Sequence, residues 1–308
     1  EQIAKKLRAT PIDIVWWKAR DAEVGHDLNA FLDERLRLLS VDLQAHFHQD
    51  MTSYDTEEPA FALTLKHSTE IVLESAAMLL GTLRDMAFQY RFTIMLGKTH
   101  GQEAELMTFG KRCLSWYQEL QIAYQQLKAT LELLRYSKIS GAIGNNNGID
   151  PELEFHALEL LGLKPFSGAT QIIPRVLYAP LAHALTDLVM VIHNIALTIR
   201  LGARSGNTIY QEPFGKLQKG SSAMPHKKNT VISEQMQGMA RLAQSYQHAI
   251  TANIATWEER AIEQSCVERV AWPDLFHVTL NALKRMTHVL KDLRVYPDIM
   301  RYEIVMSG

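Results

Sequence analysis

The stretch densest in reactive groups is Gly220-Ser221-Ser222-Ala223-Met224-Pro225-His226-Lys227-Lys228-Asn229. Glycine, small residues and a proline specify a tight turn or loop there, not a helix interior. Within ten residues it holds two hydroxyls, two lysine cations and an amide, though by composition alone it could be a solvated connector. A second block, Gly97-Lys98-Thr99-His100-Gly101-Gln102-Glu103-Ala104, contains a histidine, whose ordinary pKa near working pH suits proton transfer. A third, His48-Gln49-Asp50-Met51-Thr52-Ser53-Tyr54-Asp55, pairs hydroxyls with a histidine. Arg260, Ser265 and Arg269 follow Trp257, and guanidinium forks match phosphate oxygens in pairs as lysine does not. The twelve histidines do not fall at ligand spacing with cysteines or carboxylates, so no metal is expected, and no cofactor is implied.

The elements that must position these groups read as helices almost throughout. Apolar residues return at three- and four-residue steps from Pro59 to Ala87 and again from Phe109 to Leu134. Leu177 to Leu201 is apolar on more than one face, the pattern of a helix buried among helices. Ser233 to Thr251 and Val270 to Leu293 add two more. Strand-like alternation is scarce, and turn signals cluster at Gly141–Gly148, Gly202–Gly206 and Gly215–Pro225. Helices of about 25 residues, roughly 37 Å each, fit a long all-α bundle.

The 308-residue chain can bury a sizeable core. Its composition, 47% hydrophobic and 21% charged, is that of a soluble globular protein, and its formal charge of −2 gives no basic field for nucleic acid. Two cysteines, Cys113 and Cys266, make a disulfide framework unexpected and a reducing compartment the default. No signal peptide is expected from the charged start, Glu1 to Arg8. Leu188–Leu201, interrupted by His193, Asn194 and Arg200, is too short and too polar for a bilayer span. A soluble, cytoplasmic protein is expected.

The Gly220–Asn229 loop resembles the signature loop of the fumarase/aspartase superfamily, G-S-S-x-M-P-x-K-x-N, at every fixed position. Thr230 stands where the family usually has proline. The resemblance implies that Ser221 is the general base, and that Ser222, Met224, Lys227 and Asn229 face a substrate carboxylate as carbanion charge builds on it. A serine is a poor base at its free pKa, so such a site must supply cations and oriented donors that favour the alkoxide. The Gly97–Ala104 block resembles G-R-T-H-x-Q-x-A, with Lys98 and Glu103 departing from it. His100 would be the general acid, Thr99 and Gln102 would bind a carboxylate, and Glu234, thirteen residues after Ser221, would hydrogen-bond that histidine. His48 to Asp55 resembles H-x-G-x-T-S-x-D, with His48 in the site and Thr52 and Ser53 holding the fumarate-side carboxylate; Asp50 replaces a glycine there.

Two further blocks narrow the resemblance to the adenylosuccinate lyases. Gly25-His26-Asp27-Leu28-Asn29-Ala30-Phe31 is similar to R-H-D-V-x-A-F, with His26 beside the acid histidine and Gly25 in place of arginine. Trp257, Glu259, Arg260, Ser265 and Arg269 match W-x-E-R-x-x-x-x-S-x-x-x-R. Arg260, Ser265 and Arg269 would cradle a phosphate, joined by Arg175 through a Q-x-x-x-R pattern. The substrate implied is a nucleotide succinate cleaved at a C–N bond to release fumarate. Argininosuccinate lyase, a cycloisomerase and a non-catalytic relative of the lens-crystallin kind are the alternatives. The resemblance also implies a homotetramer with a shared helical core and active sites drawn from several subunits. The expected domains are 1–51, part of an N-terminal helical domain; 52–296, the long-helix domain; and 297–308, the start of a C-terminal helical domain, with both ends of the chain expected to continue.

Overall fold

A computed structural model describes residues 2–206, 208–215, 224 and 226–307. The chain is mostly helical, with α1 (Gln2–Ala9), α2 (Ile14–Val24), α3 (Asp27–Leu36), α4 (Val41–Gln44) and α5 (Tyr54–Gln89) leading to a hairpin of β1 (Ile94–Thr99) and β2 (Gln102–Thr108). Next come α6 (Phe109–Thr130), β3 (Tyr136–Ser137), α7 (Pro151–Leu160), β4 (Lys164–Pro165) and α8 (Ala179–Gly202). The chain continues through β5 (Tyr210–Gln211), α9 (Val231–Ala252), α10 (Glu263–Lys291), β6 (Arg294–Val295) and α11 (Pro297–Met306).

Two compact units emerge, one formed by 1–63, 135–174 and 258–260, the other by 64–134, 175–257 and 261–308. In the first, α2 packs on α3. The buried Arg35 binds the start of the chain to α3 by donating to the carbonyls of Leu7 (3.2 Å), Thr10 (2.9 Å) and Pro11 (3.1 Å). A small core of Ala62, Ile139, Leu158 and Leu163 joins the first turns of α5 to α7 and the short parallel β3–β4 pair.

The second unit is a helical bundle in which α8 packs against α6, α9 and α10. Leu185, Leu188, Val189, Ile192, Ile195 and Ile199 of α8 are fully buried, as are Leu120 and Leu127 of α6, Met236 of α9 and Leu275, Leu283 and Met286 of α10. The segment Arg175–Gly202, which contains α8, is long and apolar enough to cross a membrane by length and composition. Half of its apolar window is nevertheless buried against the other helices, as for a core helix. At one end, Phe109 meets the rings of Tyr90, Trp116 and Tyr210 at centroid distances of 5.0, 6.1 and 5.1 Å.

Two helices are longer than their periodicity suggests. The α5 helix has 36 residues and α10 has 29, each running straight past a proline, Pro59 and Pro273. Each proline removes one backbone bond, a local cost set against a continuous run of helix. At 1.5 Å per residue α5 is about 54 Å long, not 37 Å.

Candidate active site

In the first unit the His48–Asp55 block forms a turn and then the start of α5. His48 and Asp50 both adopt left-handed backbone, at φ 62° and 58°. Asp50 therefore keeps the turn for which its glycine counterpart is suited, a conformation that aspartate tolerates better than most residues. Its side chain lies against Gly148, where an added Cβ would come within 2.8 Å of the carboxyl carbon.

Asp55 organises the segment that follows. One of its carboxylate oxygens accepts from the Thr52 N–H at 2.8 Å, and the other accepts from the Gly141 N–H at 3.1 Å. Asp55 and Glu57, in the first turn of α5, complement the positive end of the helix dipole. Thr52 and Ser53 sit half-buried at this helix start. Burial holds the His48 imidazole below its ordinary value of 6.5, with the Asp55 charge pulling the other way. The His48 Nε2 is buried without a hydrogen-bond partner among the described residues.

Arg260 belongs to the same unit. Its guanidinium stacks on the Tyr54 ring at 3.9 Å and donates from Nη1 to the Gln171 side-chain carbonyl at 2.8 Å. Gln171 in turn donates to the Ala142 carbonyl at 3.0 Å. The buried Nε of Arg260 has no partner among the described residues. A pre-oriented fork with an unused donor is suited to a phosphate or carboxylate. Gln171 and Tyr54, which orient it, were not singled out in the sequence; only the Q-x-x-x-R spacing pointed near Gln171. His26 is the N-cap of α3, its ring nitrogen accepting from the Asn29 N–H at 3.3 Å, and it is exposed.

In the second unit Thr99, His100 and Gln102 form the tip of the β1–β2 hairpin, an element the sequence pattern did not suggest. Thr99 pairs with Gln102, leaving a two-residue loop of His100 (φ 54°) and Gly101 (φ 79°). Positive φ at both positions is the primed turn that matches strand twist, and glycine takes it without strain. The tip carries His100 into solvent, where its side chain makes no hydrogen bond among the described residues. Lys98, in place of the family arginine, forms an ion pair with Glu303 of α11 at 2.6 Å, and α11 packs on β1.

Ser221 and Ser222 lie outside the described residues. Beyond them, the Lys227 N–H donates to the Met224 carbonyl at 3.0 Å, and Met224 and Lys227 are exposed. Asn229 is half-buried and engaged with neighbours. Thr230 becomes the N-cap of α9 without a capping side-chain bond. The buried Glu212 caps the helix instead, accepting from the N–H groups of Ile232 (3.1 Å) and Ser233 (2.7 Å) and from the Ser233 hydroxyl (2.5 Å). Glu234 is half-exposed, 3.8 Å from Arg200. It makes no hydrogen bond to His100 within one chain.

Two members of the expected phosphate cradle have partners inside the chain. Arg175 is 4% exposed, and its Nε and Nη2 donate to the two carboxylate oxygens of Glu268 at 2.7 and 3.0 Å. That is an internal ion pair, not an open phosphate fork. Ser265 is also buried and donates its hydroxyl proton to the Ile262 carbonyl at 2.9 Å, as residues in a first helical turn often do. Arg269, one turn further along α10, is exposed and has partners of its own.

Comparison with known proteins shows the family. The protein-family model described as "Lyase" matches residues 2–244. Adenylosuccinate lyase of Synechocystis is 38% identical over 288 residues, covering 94% of this chain and 67% of the relative. That of Thermotoga maritima is 36% identical over 296 residues, covering 96% and 68%. The chain thus spans about two thirds of the length of these relatives. The crystal structure of a fumarate lyase from Mesorhizobium superposes with a TM-score of 0.87 over 99% of this chain and 70% of that one, at 19% identity, which speaks for the fold alone. The chain belongs to the lyase family of the fumarase/aspartase superfamily, and within that superfamily it is most like the adenylosuccinate lyases.

Proposed function

We propose that the chain eliminates fumarate from adenylosuccinate, giving AMP, and from the related succinyl-carboxamide ribotide, giving its amine, as a cytoplasmic enzyme of purine biosynthesis. The observation that carries the reading is the hairpin tip, which holds His100 in solvent with no hydrogen-bond partner among the described residues. A proton donor in that state is able to meet a leaving nitrogen. Ser221 removes the proton beside the carboxylate, and Lys227 and Asn229 stabilise the resulting doubly charged aci-carboxylate. His100 protonates the departing nitrogen and Glu234 holds its tautomer. Thr52, Ser53, Thr99 and Gln102 take the carboxylates, His26 and His48 border the site, and Arg260 and Arg269 take the phosphate. Ser222 and Met224 complete the loop.

The assembly is read as a homotetramer of chains with helical domains at 1–51, 52–296 and 297–308, whose active sites combine residues of several subunits. Five helices of 22 to 36 residues, α5, α6, α8, α9 and α10, are available for a shared core. Exposed apolar residues along them, such as Met78 and Val270, and Trp257, which is 81% exposed, suit burial by a partner. Glu234 and His100, unjoined within one chain, suit the same reading.

Subunit mixing tests it. A His100→Ala chain and a Ser221→Ala chain, each inactive alone, are unfolded, refolded together and assayed for fumarate release from adenylosuccinate. Partial recovery of activity is expected, because some sites in a mixed oligomer receive both intact residues. Mixed oligomers that form by mass measurement yet stay inactive rule out sharing.

A further inference from the structure

Lys138 was not among the candidate site residues, yet its side chain is as deeply buried as any in the first unit, fully enclosed like that of Asp55. Its ammonium reaches three acceptors: an Asp55 carboxylate oxygen at 2.7 Å, the Gly141 carbonyl at 2.7 Å and the Gln171 carbonyl at 3.2 Å. Three protons with three acceptors leave the ammonium satisfied, which a buried cation requires. The three partners come from separate parts of the chain: the start of α5, the turn after β3, and the segment whose side chain holds Arg260.

The charge arithmetic at the start of α5 gives this pair a consequence beyond stability. Asp55 binds the Thr52 N–H directly, so its negative charge lies one hydrogen bond from the Thr52-Ser53 position. A bare carboxylate there would repel an anionic ligand and offset the pull of the helix N-terminus. With Lys138 against it, the buried pair is neutral overall, while Asp55 still fixes the Thr52 and Gly141 backbone. We infer that Lys138 is a positioning residue that cancels the Asp55 charge so that Thr52 and Ser53 can accept the carboxylate of a dicarboxylate ligand. The inference rests on the proposed role of Thr52 and Ser53.

A structural role and a charge role make different predictions for the two halves of the pair. Lys138→Met leaves the Asp55 charge uncompensated beside the site, whereas Asp55→Asn leaves the Lys138 charge uncompensated. Both lower the melting temperature, since each strands a buried ion. Fumarate is the probe, measured as a competitive inhibitor of the full chain under conditions where each variant is folded by circular dichroism. Lys138→Met is expected to raise the fumarate inhibition constant by at least about tenfold, and Asp55→Asn, whose single amide oxygen can still accept from the Thr52 N–H, to leave it unchanged or lower it. The Asp55→Asn/Lys138→Met double variant, with no charge left, is expected within about threefold of wild type. Should Lys138→Met not fold, Asp55→Asn and the double variant decide the matter: weakened fumarate binding in either overturns the proposal. Fumarate affinity that falls alike in both single variants, or that is unchanged in a folded Lys138→Met, also overturns it. A wild type that neither releases nor binds fumarate overturns the reading of the site, and this proposal with it. A wild type that does both, with parallel losses in the variants, overturns the proposal alone.

Discussion

Replacing Arg175 with alanine separates two readings of that residue, phosphate contact and internal brace. The guanidinium is 4% exposed and Glu268 is 8% exposed, and two charge-assisted hydrogen bonds of 2.7 and 3.0 Å join them. The side chain also lies 5.6 Å from the Tyr178 ring centroid. Truncation leaves the Glu268 carboxylate in a dry site without its counter-ion. Breaking a buried pair from one side costs about 3–5 kcal/mol. At roughly 2–3 °C per kcal/mol for a chain of this size, the melting temperature should fall by about 6–15 °C. Arg175→Met/Glu268→Leu removes both charges and keeps apolar volume, so it should recover most of that loss. Thermal melts by circular dichroism give the stabilities, and KM for adenylosuccinate and for its dephosphorylated counterpart gives the phosphate contribution. If the brace reading holds, the ratio of the two KM values in the double variant stays near that of wild type. An Arg175→Ala protein with an unchanged melting temperature and a selective loss of affinity for the phosphorylated substrate would refute it.

Three other outcomes follow from the geometry. Arg260→Ala should weaken binding of the phosphorylated substrate by about 2–3 kcal/mol, as expected for lost charge-assisted bonds, and binding of a dephosphorylated substrate much less; equal losses would assign Arg260 a structural role. His48 is held below 6.5 by burial, so its folded-state value is depressed relative to the unfolded chain. The stability it contributes is present above the unfolded value and is lost as pH falls below it and through the folded one. Urea midpoints of wild type should therefore drop more steeply than those of His48→Gln from pH 7 downward, and parallel curves would contradict this. Burial pushes the Cys113 thiol up to about 12, while Cys266 is exposed. In the native protein Cys113 should react with a thiol reagent only after denaturation, as mass mapping of the labelled peptide would show.

The long helices were legible because their apolar spacing is strong, but their ends were not. Pro59 read as a start although α5 begins at Tyr54, and the run read from Val270 missed the first turns of α10, whose buried residues Gln264, Ser265 and Glu268 are polar. The β1–β2 hairpin was illegible for a different reason. Its register slips at Gly97, between Leu96 and Lys98, and β2 is largely exposed, so no period-two pattern survives. The motif around His100 could be recognised in sequence, but its primed turn could not. Two different motifs pointed to Arg260 and, more weakly, to Arg175, and of the two Arg260 keeps an unused donor among the described residues. What separates them is Glu268, 93 residues from Arg175 in sequence. The same limit hid Lys138 and Glu212, whose importance lies in contacts that no local pattern encodes.

The most direct test of the account is fumarate release from adenylosuccinate, followed by the ultraviolet absorbance of fumarate, with wild-type protein and Ser221→Ala side by side. Wild type should turn over, while Ser221→Ala binds the substrate and turns it over about 10²–10⁴-fold more slowly. A wild type that binds adenylosuccinate without releasing fumarate, or a Ser221→Ala protein as active as wild type, would contradict it.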